Sequence, residues 1–169
     1  MLSELTLVRK IELWVPGKSM GKGTGRASIS SGGKPFIFKD VRTRNYEHMI
    51  RLLAMERARE IGLTVPHQGP VVLSGYYLYQ APKSVTRRGR KIDFYSGLQK
   101  LTKPDPTNLL KASEDGCTSV FWLDDCQVIG YRDVWKGYSS THEGFLLVVY
   151  LYREPDPPAK PEGRRRKKT

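Results

Sequence analysis

Between Thr43 and about Gly62 the apolar residues change period, and that change most restricts the folds open to this chain. Tyr46, Ile50, Leu53, Ala54, Ala58 and Ile61 recur at steps of 4, 3, 1, 4 and 3, which lines up one face of an amphipathic helix. Gly62 is a suitable C-terminal stop. The arginines of this segment, Arg42, Arg44, Arg51, Arg57 and Arg59, fall mostly off the apolar face and read as a solvated surface rather than a contact row. Apart from one shorter helical segment, the remaining apolar residues come in strand-like runs. Leu7, Ile11, Leu13 and Val15 finish in a period-two alternation closed by Pro16-Gly17. Phe36-Ile37-Phe38, after Gly32-Gly33, predicts a short strand closing a hairpin. Residues 71–80, VVLSGYYLYQ, are rich in β-branched and aromatic side chains. Val128 to Trp135 predicts a further strand, and Phe145 to Tyr152 is apolar enough for a sheet centre, with the turn residues GYSSTHEG between them. The expected fold is an α+β domain over residues 1–153, with a single mixed, mostly antiparallel sheet and two main helices. Residues 154–169, rich in Pro, Lys and Arg, predict a disordered basic tail.

Charge then narrows the partners. Lys and Arg total 29 against 17 Asp and Glu, a formal net charge of +12, and such a surplus favours a polyanion, of which nucleic acid is the commonest. Without the five cations of Arg164 to Lys168 the chain still carries +7. The stretch GKSMGKGTGR, with Lys18, Lys22 and Arg26, fits no phosphate-loop frame because Lys22 stands where the second glycine would be required. It reads as a basic loop able to touch a DNA backbone, or as a solvated hairpin connection. A long polar excursion from Ala81 to Lys103 interleaves Arg87, Arg88, Arg90 and Lys91 with Phe94 and Tyr95. Such side chains neutralise phosphates and stack on bases. No apolar run approaches the roughly 20 residues of a membrane span, and the charged N-terminus does not read as a secretory signal. A cytoplasmic location is therefore expected. Cys117 and Cys126 lack metal-ligand spacing and read as reduced, partly buried thiols.

Chemistry concentrates in Lys103 to Val128, KPDPTNLLKASEDGCTSVFWLDDCQV. Asp105 at an N-cap and Pro106 at the first helical position open a second helix, expected to reach about Asp115 and stop at Gly116. Leu109, Leu110 and Ala112 would face the core. Thr107, Lys111 and Glu114, at steps of 4 and 3, share a face flanked by Asn108 and Asp115, and Asp124-Asp125 precedes the next strand. Phosphodiester hydrolysis places extra negative charge on the transition state, and hard divalent cations held by carboxylates stabilise it. The same acids could equally be a cap, turn residues and a helix-surface pair.

Lys103-Pro104-Asp105-x-x-Asn108-Leu109-x-Lys111-Ala112, then Asp115, then Trp122-x-Asp124-Asp125-x-Gln127-Val128 resembles the core signature of the RusA-type Holliday junction resolvases, many of them phage or prophage proteins. The resemblance implies a homodimeric α+β nuclease that needs Mg²⁺ or Mn²⁺. Such enzymes bind four-way DNA junctions and nick two opposing strands. It implies that Asp105 and Asp125 are the first and last metal-binding aspartates and that Lys111 is a catalytically important lysine. One departure matters: many members have Asp-Asn where this chain has Thr107-Asn108, and that aspartate is a metal ligand. Glu114 is the expected replacement, with Asp115 and Asp124 as lesser candidates and Thr107 and Asn108 in supporting positions. Lys18, Lys22, Arg26, Arg87, Arg88, Arg90, Lys91 and Lys103 are the expected DNA contacts. Two other classes stay open: a DNA-binding protein of this fold that has lost catalysis, and an RNA-binding or assembly protein whose acids are structural.

Overall fold

The computed structural model describes residues 5–23, 26–38, 40–86 and 98–155. Strand β1 (Thr6–Pro16) is followed by the hairpin β2 (Arg26–Ile29) and β3 (Pro35–Phe38), then by helix α1 (Val41–Glu60) and strand β4 (Val71–Gln80). A single helical turn, α2 (Lys83–Thr86), precedes helix α3 (Pro106–Cys117). A 3₁₀ turn at Asp125–Gln127 leads into β5 (Val128–Ser139), and β6 (Gly144–Arg153) completes the order.

Four strands form the main sheet in the order β1-β6-β4-β5. β6 runs antiparallel to both neighbours, whereas β4 and β5 are parallel. Parallel neighbours need a long crossover, and the segment carrying α3 supplies it. The expected α+β architecture with a mixed sheet is what the chain adopts, and the apolar run of β6 lies inside the sheet as its composition requires.

Both long helices pack on one face of the sheet. Period-two alternation sends Ile11, Leu13 and Val15 of β1, Leu73, Tyr77 and Tyr79 of β4, and Phe145, Leu147 and Val149 of β6 into a common core. Tyr46, Ile50, Ala54 and Ala58 of α1 and Leu109, Ala112 and Cys117 of α3 close over them. Gly62 ends α1 with φ +67, a conformation that favours glycine.

Helix α3 departs from expectation at its end: it continues through Gly116 to Cys117. Gly116 is a packing glycine, because a Cβ there would stand 2.6 Å from Ile50 Cγ2 of α1. The absence of a side chain is what lets the two helices cross. β5 also runs further than expected, since Lys136 to Ser139 pair with Tyr77 to Gln80, so part of the anticipated turn belongs to the strand. Cys117 is fully buried while Cys126 is exposed, so the two thiols depart in opposite directions from the partial burial expected of both. Among the described residues no helix is long and apolar enough to cross a membrane. The tail from residue 156 onward lies outside the described residues.

Candidate functional site

Asp105 caps the N-terminus of α3 in position only. Its backbone is extended (φ −75, ψ 147), yet its side chain bonds to none of the helix N–H groups. The carboxylate is exposed at the helix entrance, beside a cleft of about 450 Å³ that it shares with Lys18, Lys22, Lys103 and Asn108. Three backbone attachments build this cleft. Lys136 of β5 donates through Nζ to the carbonyls of Thr102 and Pro104, both at 2.8 Å. The Lys22 N–H donates to the Asn108 carbonyl at 2.9 Å, and the Tyr79 hydroxyl donates to the Ser19 carbonyl at 3.1 Å. Gly21 permits the approach, since a Cβ there would meet Pro104 Cβ at 3.0 Å and Asn108 Cβ at 3.1 Å. The basic loop therefore lies against the opening turns of α3.

Further along α3 the acids are engaged. Asp115 accepts an ion pair from Lys22 Nζ at 2.6 Å, with both side chains about three-quarters buried. Glu114 is 8% exposed, and its Oε1 accepts a hydrogen bond from the Tyr131 hydroxyl of β5 at 2.7 Å. Partial burial, followed by the neighbouring Glu114 carboxylate, pushes the Tyr131 phenol up to about 12. Thr107 and Lys111 remain exposed. The helical face predicted for residues 107, 111 and 114 thus passes from solvent at its start to burial under β5 at its end.

Asp124 and Asp125 belong to a different structure. Asp124 caps the 3₁₀ turn: its Oδ1 accepts from the Cys126 N–H at 3.0 Å, which holds its carboxyl below the usual carboxylate range. Gln127 Oε1 accepts from the N–H groups of Leu123 and Asp124, both at 2.8 Å. Its Nε2 donates to the carbonyls of His67 and Gly69 at 3.0 and 2.8 Å. This turn is therefore stitched to the chain entering β4. Asp125 is exposed.

These attachments set the layout. Asp105 stands beside Lys136, in the later half of β5, while Asp125 precedes the first residue of that strand. Between them lies α3, whose twelve residues span about 18 Å. Ligands of one small dication must all approach within about 2.1 Å of it. The expectation that Asp105, Glu114 and Asp125 line one pocket is not met within one protomer. Among the described residues no three His, Cys, Asp or Glu side chains converge as a metal site. The side chain of Arg26, and Arg87, Arg88, Arg90 and Lys91 with Phe94 and Tyr95, lie outside the described residues. Tyr131 and Lys136 escaped the sequence reading, since neither carries a local signal of contact with α3.

A sequence model of the family described as "Endodeoxyribonuclease RusA" matches residues 16–143. A comparison with curated proteins finds no match.

Proposed function

The chain belongs to the RusA family of endodeoxyribonucleases, and from that membership we propose that it cleaves branched DNA in the cytosol, nicking opposing strands of a four-way junction as a homodimer. The observation that carries this reading is the state of Asp105. It is an exposed carboxylate without a cap bond, set in a cleft whose other charges are Lys18, Lys22 and Lys103. Lys22 is paired with Asp115, while Lys18 and Lys103 are suited to neutralise and orient a phosphodiester at the α3 entrance. Asn108 can donate a hydrogen bond to it, and Lys111, further along the helix, can offset charge that develops during hydrolysis.

A divalent cation, Mg²⁺ or Mn²⁺, would supply an activated water molecule and a counter-charge. The donors of one protomer do not fit it, because Asp105 and Asp125 flank opposite ends of α3, Glu114 is bonded to Tyr131 and Asp115 to Lys22. A homodimer offers a way to reunite them. β5 is an edge strand, and a two-fold axis across its middle reverses its direction in the second copy. The end carrying Asp125 of the partner subunit would then approach the Lys136 end, where Asp105 stands. Symmetric junctions suit an enzyme whose paired sites are related in this way.

A second reading is favoured by a specific observation. With Thr107 neutral and Glu114 tied to Tyr131, the first helix turns supply one carboxylate, which suits a junction-binding protein that no longer cleaves. One assay separates the two readings. Synthetic four-way, three-way and linear duplex DNA are incubated with Mg²⁺, Mn²⁺ or chelator, with Asp105→Asn as control. Junction cleavage lost with chelator and with the variant is the expected result. Tight junction binding without cleavage in either metal selects the second reading.

A further inference from the structure

We propose that the flank of α1 turned toward solvent above α3 is a phosphate-binding track, along which one DNA arm leads away from Asp105; the inference rests on the nuclease reading above. Successive helical residues advance by about 100°. Arg44, His48, Arg51, Met55 and Arg59 follow one another at steps of 4, 3, 4 and 4 and so share an arc of about 80°. No acid falls within that arc. Of the helix's other charges, Arg42, Glu56, Arg57 and Glu60 lie on the opposite flank and balance one another, while Glu47 borders the row on the side next to Arg51. On the opposite flank Arg57 pairs with Glu60 at 2.9 Å and donates to the Glu12 carbonyl of β1 at 3.1 Å. Three arginines and a histidine with no acid among them make the Arg44–Arg59 flank the more positive side of α1.

The row is also continuous with the Asp105 cleft. Lys22 belongs to that cleft and reaches Asp115, which lines the adjoining hollow with Arg44, His48 and Arg51. Glu47 is the other acid in this hollow, and its backbone carbonyl lies 3.2 Å from where a Cβ of Gly116 would stand. Arg51 is shared in turn with a third hollow that extends to Arg59. Arg51 is held in place by its Nη2, which donates to the Thr118 carbonyl at the end of α3 at 3.1 Å. Arg44 and Arg59 are exposed.

Length and field agree with a nucleic-acid backbone as the occupant. Arg44 to Arg59 spans about 22 Å of helix rise, comparable with about six phosphates of one strand at 3.4 Å each along a duplex. On the helix-free face of the sheet, among the described residues, Lys10 pairs with Glu12 at 2.6 Å, Arg132 lies over the Tyr150 ring and Asp133 accepts from the Tyr76 hydroxyl, so cations there have acids close by. Among the described residues, the arginine row of α1 has no such balance of acids within its arc. Contacts of this kind position a duplex without reading its sequence.

The test is fluorescence anisotropy of a labelled four-way junction and a labelled linear duplex, titrated with the full-length protein at several salt concentrations. Arg44→Ala/Arg59→Ala is expected to weaken binding on the order of tenfold and to reduce the slope of log affinity against log salt by about two. Arg44→Lys/Arg59→Lys should keep the wild-type slope, since the charges remain. Arg42→Ala, on the balanced flank, should change neither quantity. Wild-type binding together with an unchanged slope in the alanine pair overturns the track alone. An equal loss in Arg42→Ala also overturns it, because the effect would then follow net charge. Wild-type protein that binds neither DNA sinks the nuclease reading and the track with it.

Discussion

The hydrogen bond between Tyr131 and Glu114 decides what the acidic end of α3 is for. If Glu114 is a structural carboxylate, its bond to the Tyr131 hydroxyl offsets the cost of placing a charge at 8% exposure. A hydrogen bond to a charged group contributes about 1.5–3 kcal/mol. Tyr131 is 51% exposed, so water can partly replace its hydroxyl, and the lower part of that range applies. Tyr131→Phe is therefore expected to destabilise the fold by about 1–2 kcal/mol. Glu114→Gln keeps an acceptor oxygen at the same place and should cost less than about 1 kcal/mol. Denaturant unfolding measures both, and cleavage of a four-way junction with Mg²⁺ is followed in parallel. Structural use predicts that Glu114→Gln retains most of the cleavage. Abolished cleavage at unchanged stability would restore Glu114 as the replacement metal ligand. Unchanged stability in Tyr131→Phe would refute the energetic argument itself.

Three further outcomes are expected. Asp105→Asn should leave stability within about 0.5 kcal/mol, because asparagine and aspartate serve equally at an N-cap and no cap bond is lost; cleavage should disappear, and a large loss of stability would show that the carboxylate is structural. Gly116→Val should destabilise by about 3 kcal/mol or more, since a Cβ there meets Ile50 Cγ2 at 2.6 Å and overpacking adds to β-branching; an unchanged unfolding midpoint would refute the close crossing of α1 and α3. The Tyr131 phenol is raised from 10.0 to about 12 in the folded protein, so the unfolded chain releases this proton first. Stability linked to it is fully present below pH 10 and is lost as pH rises toward 12; the loss should be smaller in Tyr131→Phe, as measured by unfolding across that window.

The legible part of this protein is local. The steps of Tyr46, Ile50, Ala54 and Ala58, the alternation of Ile11, Leu13 and Val15, and the Asp-Pro opening of α3 each report a period or a backbone preference carried by neighbouring residues. Elements read from them match the folded chain closely. Failures occurred where the meaning of a residue depended on a distant partner. Gly116 has the look of a helix stop but serves the crossing with Ile50, 66 positions earlier. Glu114 shares a helical face with Lys111 but ends under Tyr131.

Residue order alone was enough for the α+β class, the two helices, the apolar inner strand and the family signature, because covalent neighbours set periodicity, caps and motif spacing. Three things waited on the folded chain: the separation of Asp105 from Asp125 by the length of α3, the capture of Glu114 and Asp115 by Tyr131 and Lys22, and the position of the α1 arginines beside the Asp105 cleft. Each depends on which surfaces meet when the sheet buries its helices, and that meeting is set by the packing of the whole domain.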